Sequence, residues 1–358
     1  MTPRQRAAGF CDRFGLRVPI LLAPMAGACP AALSVAVAGA GGLGSCGALL
    51  LAPEAIAAWA RQVRAGTNGP FQVNLWIPDP APRRDPAHEA ALRRFLGAWG
   101  PAVPPSAADA ADAAPPDFEA QCEAVLDAAP PVVSSIMGLY PPAFVARLKA
   151  RGIAWFATVS TVAEARAAEA AGADVVVAQG MEAGGHRGCF DAGAAEAGLV
   201  GTLSLVPAVA DAVGIPVVAA GGIADGRGLA AVLALGASAA QIGTGFLRCP
   251  EAGTHPAWSA ALAGLPPEAT RLTRAFSGRT VRGIATRYVL AAAEPDAPDP
   301  APYPVQRALT AAMRTDGQAA GDPDRMQLWS GQSAALARTE PAATVVARIW
   351  DEASALLA

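Results

Sequence analysis

Charge is scarce in this chain. Asp, Glu, Lys and Arg make up only 16% of its 358 residues, the net charge is −3, and no basic run stands out. No nucleic-acid partner is expected, because a phosphate backbone is gripped by clustered Lys and Arg. Histidine is scarcer still, at three residues, so the setting of each one is informative. The six cysteines, Cys11, Cys29, Cys46, Cys122, Cys189 and Cys249, include no Cys-x-x-Cys pair. That spacing supports neither a zinc knuckle nor a redox motif, and the thiols read as buried groups of a reducing compartment. Cys189 stands beside the loop described below, where burial without a role is the expected reading. No secretory signal is expected either, since the charged N-terminus has no apolar core next to it. Residues 18–52 carry no charge, but Pro19, Pro24 and Pro30 and a series of glycines break any continuous helix there. A cytoplasmic location with no membrane partner is therefore expected.

What the chain has is apolar residue, at 53%, enough for one large α/β domain or two smaller ones. Short apolar runs alternate with alanine-rich amphipathic stretches. Strands are expected at 20–23, 43–45, 71–75, 132–135, 155–159, 175–179, 217–219 and 239–242. Helices are expected between them at 31–38, 53–64, 117–127, 142–151, 162–171, 205–213 and 226–235. Eight strands alternating with helices predict a (β/α)8 TIM barrel over residues 1–253. The proline-rich stretch 78–116, nearly low-complexity from 101 onward, reads as an insertion after the third strand around one helix at 88–99. Residues 254–358 read as a helical C-terminal extension over the barrel mouth, with helices at 305–315 and 342–356. The competing architecture is a doubly wound sheet. Gly39-Ala40-Gly41-Gly42-Leu43-Gly44 resembles its dinucleotide turn, but precedes a strand where the fingerprint must follow one.

In such a barrel the site lies at the carboxyl ends of the strands. The first strand runs into Ala23-Pro24-Met25-Ala26-Gly27, where Met25 offers a polarizable contact. The third ends at Asn74, an amide able to meet the edge of a heterocycle. The sixth ends at Gln179, where another valine would fit an apolar strand, and opens into Met181-Glu182-Ala183-Gly184-Gly185-His186-Arg187-Gly188. Glycines on both sides of His186 let a flat ligand approach and leave the imidazole no packing role. Gly221-Gly222 and Gln241-Ile242-Gly243-Thr244 close the seventh and eighth strands, the usual phosphate grip of this fold. A phosphate at one side of the mouth and amides at its centre suit FMN, and no converging ligand cluster favours a metal.

These segments, with Phe71-Gln72-Val73-Asn74, Ala220 through Gly228, Ser277-Gly278-Arg279 and Leu328-Trp329-Ser330-Gly331-Gln332, resemble nitronate monooxygenases, formerly called 2-nitropropane dioxygenases. The resemblance runs from about residue 15 to the C-terminus. It implies an FMN barrel that oxidises alkyl nitronates with O2 to a carbonyl compound and nitrite. It makes His186 the active-site histidine, taking the α-proton of a nitroalkane or holding the nitro oxygens of a nitronate. Asn74, Gln179, Gly184, Gly185, Gly222 and residues 241–244 would hold FMN, and Tyr303 resembles a tail tyrosine lining the mouth. Relatives carry His-Phe-Gly after the fourth strand, where this chain reads Ile136-Met137-Gly138 and lacks the second polar group. His88 and His255 read as surface or packing residues. Two rivals remain: an NAD(P)H-dependent flavin reductase of the enoyl-acyl-carrier-protein or quinone reductase type, which shares the Glu-Ala-Gly-Gly-His loop, and a non-catalytic FMN-binding barrel.

Overall fold

The computed structural model describes residues 1–103 and 116–358. Eight parallel strands form its centre: β1 (Ile20–Leu22), β2 (Gly44–Gly47), β3 (Phe71–Trp76), β4 (Val132–Ile136), β5 (Ala154–Val159), β6 (Val175–Gln179), β8 (Val217–Ala220) and β9 (Ala239–Ile242). They pair in the order β1-β9-β8-β6-β5-β4-β3-β2, and a bridge between Leu21 and Leu43 closes the ring. The strands are nearly continuous apolar runs because both faces are covered. One side meets the barrel interior and the other meets the helices. Val175 through Gln179 are buried without a break.

Turn and cap chemistry sets the helices between the strands. Proline occupies the first turn of α3 (Pro53–Gly66) and of the helix Pro142–Ala150, where its missing N–H costs nothing. Thr161 and Glu164 form a reciprocal capping box at the start of the helix Val162–Ala170. Asp225 caps the helix Gly226–Ala234 by accepting from the Gly228 amide.

The sequence reading left out the helix α1 (Pro3–Phe14). Thr2 and Gln5 make a capping box at its start, and Gly15 ends it in the left-handed conformation at φ 68°. Phe10 and Phe14 reach Phe156 at ring-centroid separations of 6.2 and 4.9 Å. With Leu21, Val175, Val177 and Val218 they form one buried cluster, so α1 plugs the amino-terminal end of the barrel.

The excursion after β3 is partly buried where it is described; residues 104–115, part of the low-complexity stretch, lie outside the described residues. Its helix, α4, runs Pro86–Leu96 rather than 88–99, starting at the N-cap Asp85 and ending before Gly97. Leu92 and Leu96 pack with Phe276, Tyr288, Val305, Leu309 and Met313 of the C-terminal region. The excursion and the tail therefore share an apolar cluster of their own.

The tail holds more than the two helices expected of it. Besides helices at Val305–Leu309, Ala311–Ala320 and Ala342–Leu356, it contributes the hairpin β10 (Thr270–Thr273) and β11 (Val281–Ile284). The short strand β7 (Gly185–His186) adds to β11, so this sheet pairs the tail with the histidine loop. The last helix lies on the helix Gly226–Ala234. A Cβ on Gly226 would fall 2.2 Å from the Glu352 Cβ and 2.6 Å from the Ala353 amide nitrogen. Gly226→Ala is expected to destabilise the fold by about 1–3 kcal/mol, the usual cost of overpacking, read as a lowered urea midpoint at unchanged slope.

Candidate active site

His186 is carried into the barrel mouth by backbone pairing. Its strand partner is Val281, and Gly185 pairs with Arg282. Further bonds fasten the loop on every side. The Arg187 amide donates to Thr280 O at 2.9 Å. The Arg282 Nε donates to Met181 O at 2.8 Å. The Gln332 amide donates to Glu182 O at 3.0 Å. Gly184 is glycine for a steric reason: a Cβ there would lie 2.4 Å from the Gly331 nitrogen. Gly185, at φ 76°, has open space where a Cβ would stand.

The imidazole of His186 sits among aromatic rings. The Trp76 ring meets it edge-on at 4.7 Å and the Trp329 ring at 5.7 Å. Tyr303 stacks on Trp76 at 5.1 Å with an interplanar angle of 11°. His186 Nε2 lies 3.0 Å from Ser277 Oγ. Burial, then the nearby Arg279 and Arg307 guanidiniums, lower its pKa from 6.5 to about 3. The imidazole is therefore neutral at physiological pH. Arg279 is buried, lies over the Trp76 ring and pairs with Asp79 at 2.7 Å. It also contacts the Met137 sulfur. Met137, at φ 73°, is one of two non-glycine residues with a left-handed backbone among the described residues, strain of a kind that gathers at functional sites. Ile136 is in register with Trp76.

The expected amides come together at the strand ends, though not all are free. Gln179 clamps the loop instead of facing an open cavity: its Nε2 donates to His186 O at 3.1 Å and its Oε1 accepts from the Gly188 amide at 2.7 Å. Gln241 Oε1 accepts from Gln72 Nε2 at 3.2 Å. Asn74 Nδ2 donates to Ser134 Oγ at 3.0 Å. Met25 lies beside the loop after β9, since a Cβ on Gly243 would stand 3.3 Å from its sulfur. Gly221 and Gly222 follow β8 with φ 105° and 74°, the consecutive left-handed turn that glycine permits. Gly243 and Thr244 follow Ile242 and open a tight turn at Thr244–Phe246. Thr244 Oγ1 accepts from the Gly331 amide at 2.9 Å, which leaves its own O–H to donate. Glu182, near Gly222, is bound instead to the Thr202 amide and hydroxyl at 2.9–3.0 Å.

Other residues singled out in the sequence lie elsewhere. His88 bonds Asp299 O at 2.6 Å, and His255 accepts from the Ala257 amide as a helix cap. Cys189 is buried, and burial pushes its thiol pKa up, so it holds no ready thiolate. Trp76 was missed because it lies one residue beyond the expected end of its strand. Ser277, Arg279 and Trp329 stood in recognisable tail motifs, but no local pattern brings them to His186.

The sequence profile of the nitronate monooxygenase family matches residues 11–352. The chain belongs to the nitronate monooxygenase family. A nitronate monooxygenase of Pseudomonas aeruginosa is 42% identical over 95% of this chain and 99% of its own length. One from Paraburkholderia phytofirmans is 38% identical over 98% and 96%. Among solved structures, the nitroalkane oxidase of Streptomyces ansochromogenes superposes with a TM-score of 0.85 at 38% identity, covering 98% of this chain and all of that one. FabK from Thermotoga maritima gives 0.74 at 28% identity, over 98% and 96%. The chain is accordingly a flavin-dependent oxidoreductase. The site fits such a group: open space at Gly185 for a flat ring, Gln241 Nε2 and Asn74 Oδ1 outside the bonds these amides make to Gln72 and Ser134, and glycine turns with the Thr244 hydroxyl.

With its pKa lowered toward 3, His186 is not expected to titrate between pH 5 and 8. The unfolded chain takes up a proton below about pH 6.5 that the native imidazole refuses. This site's share of stability is thus intact above pH 6.5 and lost as pH falls toward 3. Nitrogen-15 histidine spectra across pH 5–8 check it; an inflection of the His186 signals near 6.5 would mean that the imidazole is solvated instead of buried.

Proposed function

We propose that this enzyme uses FMN and O2 to oxidise alkyl nitronates to a carbonyl compound and nitrite, and accepts neutral nitroalkanes once their α-proton is removed. The observation that carries the proposal is the His186 imidazole, fixed by strand pairing beside the open, glycine-lined barrel mouth. FMN bound there supplies the electron acceptor for the nitronate and the centre that reacts with O2. One phosphate suits the two glycine turns at Gly221-Gly222 and Gly243-Thr244. Asn74, Gln179, Gln241 and Met25 would border the ring, with Gly184, Gly185 and Ile242 completing its bed.

The chain's own groups then divide the work. His186 accepts the α-proton of a neutral nitroalkane. The positive field of Arg279 and Arg307 favours the nitronate anion that results, by the same Coulombic effect that keeps the imidazole neutral. Trp76, Tyr303 and Trp329 line an apolar side for the alkyl group and exclude water from it. Ile136 and Met137 leave that side without a second histidine. Six buried free thiols fit a reducing compartment such as the cytoplasm.

The Glu182-Ala183-Gly184-Gly185-His186 loop, which resembles that of flavin-dependent enoyl reductases, supports a second reading, a reductase fed by NAD(P)H. A single pair of experiments separates the two. The purified protein is expected to show flavin absorbance bands that bleach anaerobically with ethylnitronate and persist with NADH; bleaching by NADH alone would favour the reductase. His186→Asn is expected to keep its flavin while losing about 100-fold or more of its rate with neutral nitroethane, the usual worth of a general base.

A further inference from the structure

His186 has two ring nitrogens, and only one of them can be the base. Nε2 lies 3.0 Å from Ser277 Oγ. The Ser277 hydroxyl in turn donates to Arg279 O at 3.3 Å. A carbonyl oxygen can only accept, and a serine has a single hydroxyl proton. If Ser277 spends that proton on Arg279 O, it meets Nε2 with a lone pair, so Nε2 must carry hydrogen. The opposite arrangement, with Ser277 donating to Nε2, would strip Arg279 O of this donor within a buried turn. Leaving a buried acceptor unpaired is destabilising, because its lost hydration is not replaced. Ser277 is itself only 1% exposed, so water does not readily replace that bond.

We infer that Ser277 is a positioning residue which fixes His186 in the Nε2–H tautomer and so makes Nδ1 the proton acceptor. The inference rests on the proposed role of His186 as base and names its reacting atom. In the step, the α-carbon–hydrogen bond of the nitroalkane breaks and its proton forms a bond to the Nδ1 lone pair. The electron pair of that bond moves into a carbon–nitrogen double bond, and the nitro group becomes a nitronate. The imidazolium keeps both N–H bonds: the Nε2 proton still rests on Ser277, and the Nδ1 proton is released to solvent before the next cycle. Because Ser277 and Arg279 belong to the turn between β10 and β11, the hairpin that pairs with β7 also selects the tautomer.

The test is the nitrogen-15 spectrum of histidine-labelled, flavin-loaded protein, with the His186 signals assigned by their loss in His186→Asn. A protonated, pyrrole-like Nε2 and an unprotonated, pyridine-like Nδ1 are expected. Ser277→Ala should mix the tautomers and lower kcat with neutral nitroethane about tenfold, while kcat/KM for preformed ethylnitronate changes less than twofold. Ser277→Thr, which keeps the hydroxyl, should restore both. A wild-type spectrum with the proton on Nδ1 overturns the assignment, as does a Ser277→Ala protein whose tautomer is unchanged. The spectrum does not depend on turnover. A protein that fails to oxidise nitronates thus refutes the proposed function, while the wrong tautomer refutes only the inference.

Discussion

The site depends on one pairing: β7, two residues long, hydrogen-bonded to a strand that lies about a hundred residues further along the chain. A glycine-rich loop has no rigidity of its own, since glycine gives up the most conformational freedom on being ordered. The tail supplies the rigidity. Val281 and Arg282 pair with the loop backbone, Arg282 reaches Met181 O, and Gln332 reaches Glu182 O. Gly184 is open enough for residues 330–331 to lie directly against it. The loop can therefore be rich in glycine, as a flat ligand requires, and still hold an imidazole in one place.

The same arrangement sets the electrostatics. The turn that follows β10 brings Arg279 beneath the aromatic rings, with its charge balanced by Asp79 of the excursion after β3. Burial and these cations hold His186 neutral. The unprotonated imidazole leaves a lone pair free to take a proton, and the nearby cations, which weaken it as a base, also favour the anion formed once the proton has moved. The absence of histidine at Ile136 fits this division, because Trp76, in register with it, closes that side with a ring instead.

The barrel was legible because its signals are local. Buried strands such as Val175–Gln179 are continuous apolar runs, and caps such as Thr161 and Asp225 mark where helices begin. His186 and the glycine turns stood out because their residue types are unusual in their settings, whereas Tyr303 was reached only through the family resemblance. The hairpin was not, because strand pairing between residues 185 and 282 leaves no periodic trace in either segment. Gln179 is ambiguous in the sequence alone, since an amide at a strand end is equally able to serve a ligand or its own loop; here both of its ends bond the loop. The helix α1 had readable punctuation in Thr2, Pro3, Gln5 and Gly15, yet its apolar face makes sense only against Phe156.

The distance between His186 and β11 along the chain also bears on biosynthesis. Chains leave the ribosome from the amino terminus, and early segments begin to fold before late ones exist. All eight barrel strands are complete by Ile242, well before Val281 emerges. A nascent polypeptide thus passes through a stage at which the ring of strands can close while its imidazole is still untethered, and it gains a working base only when the hairpin is translated.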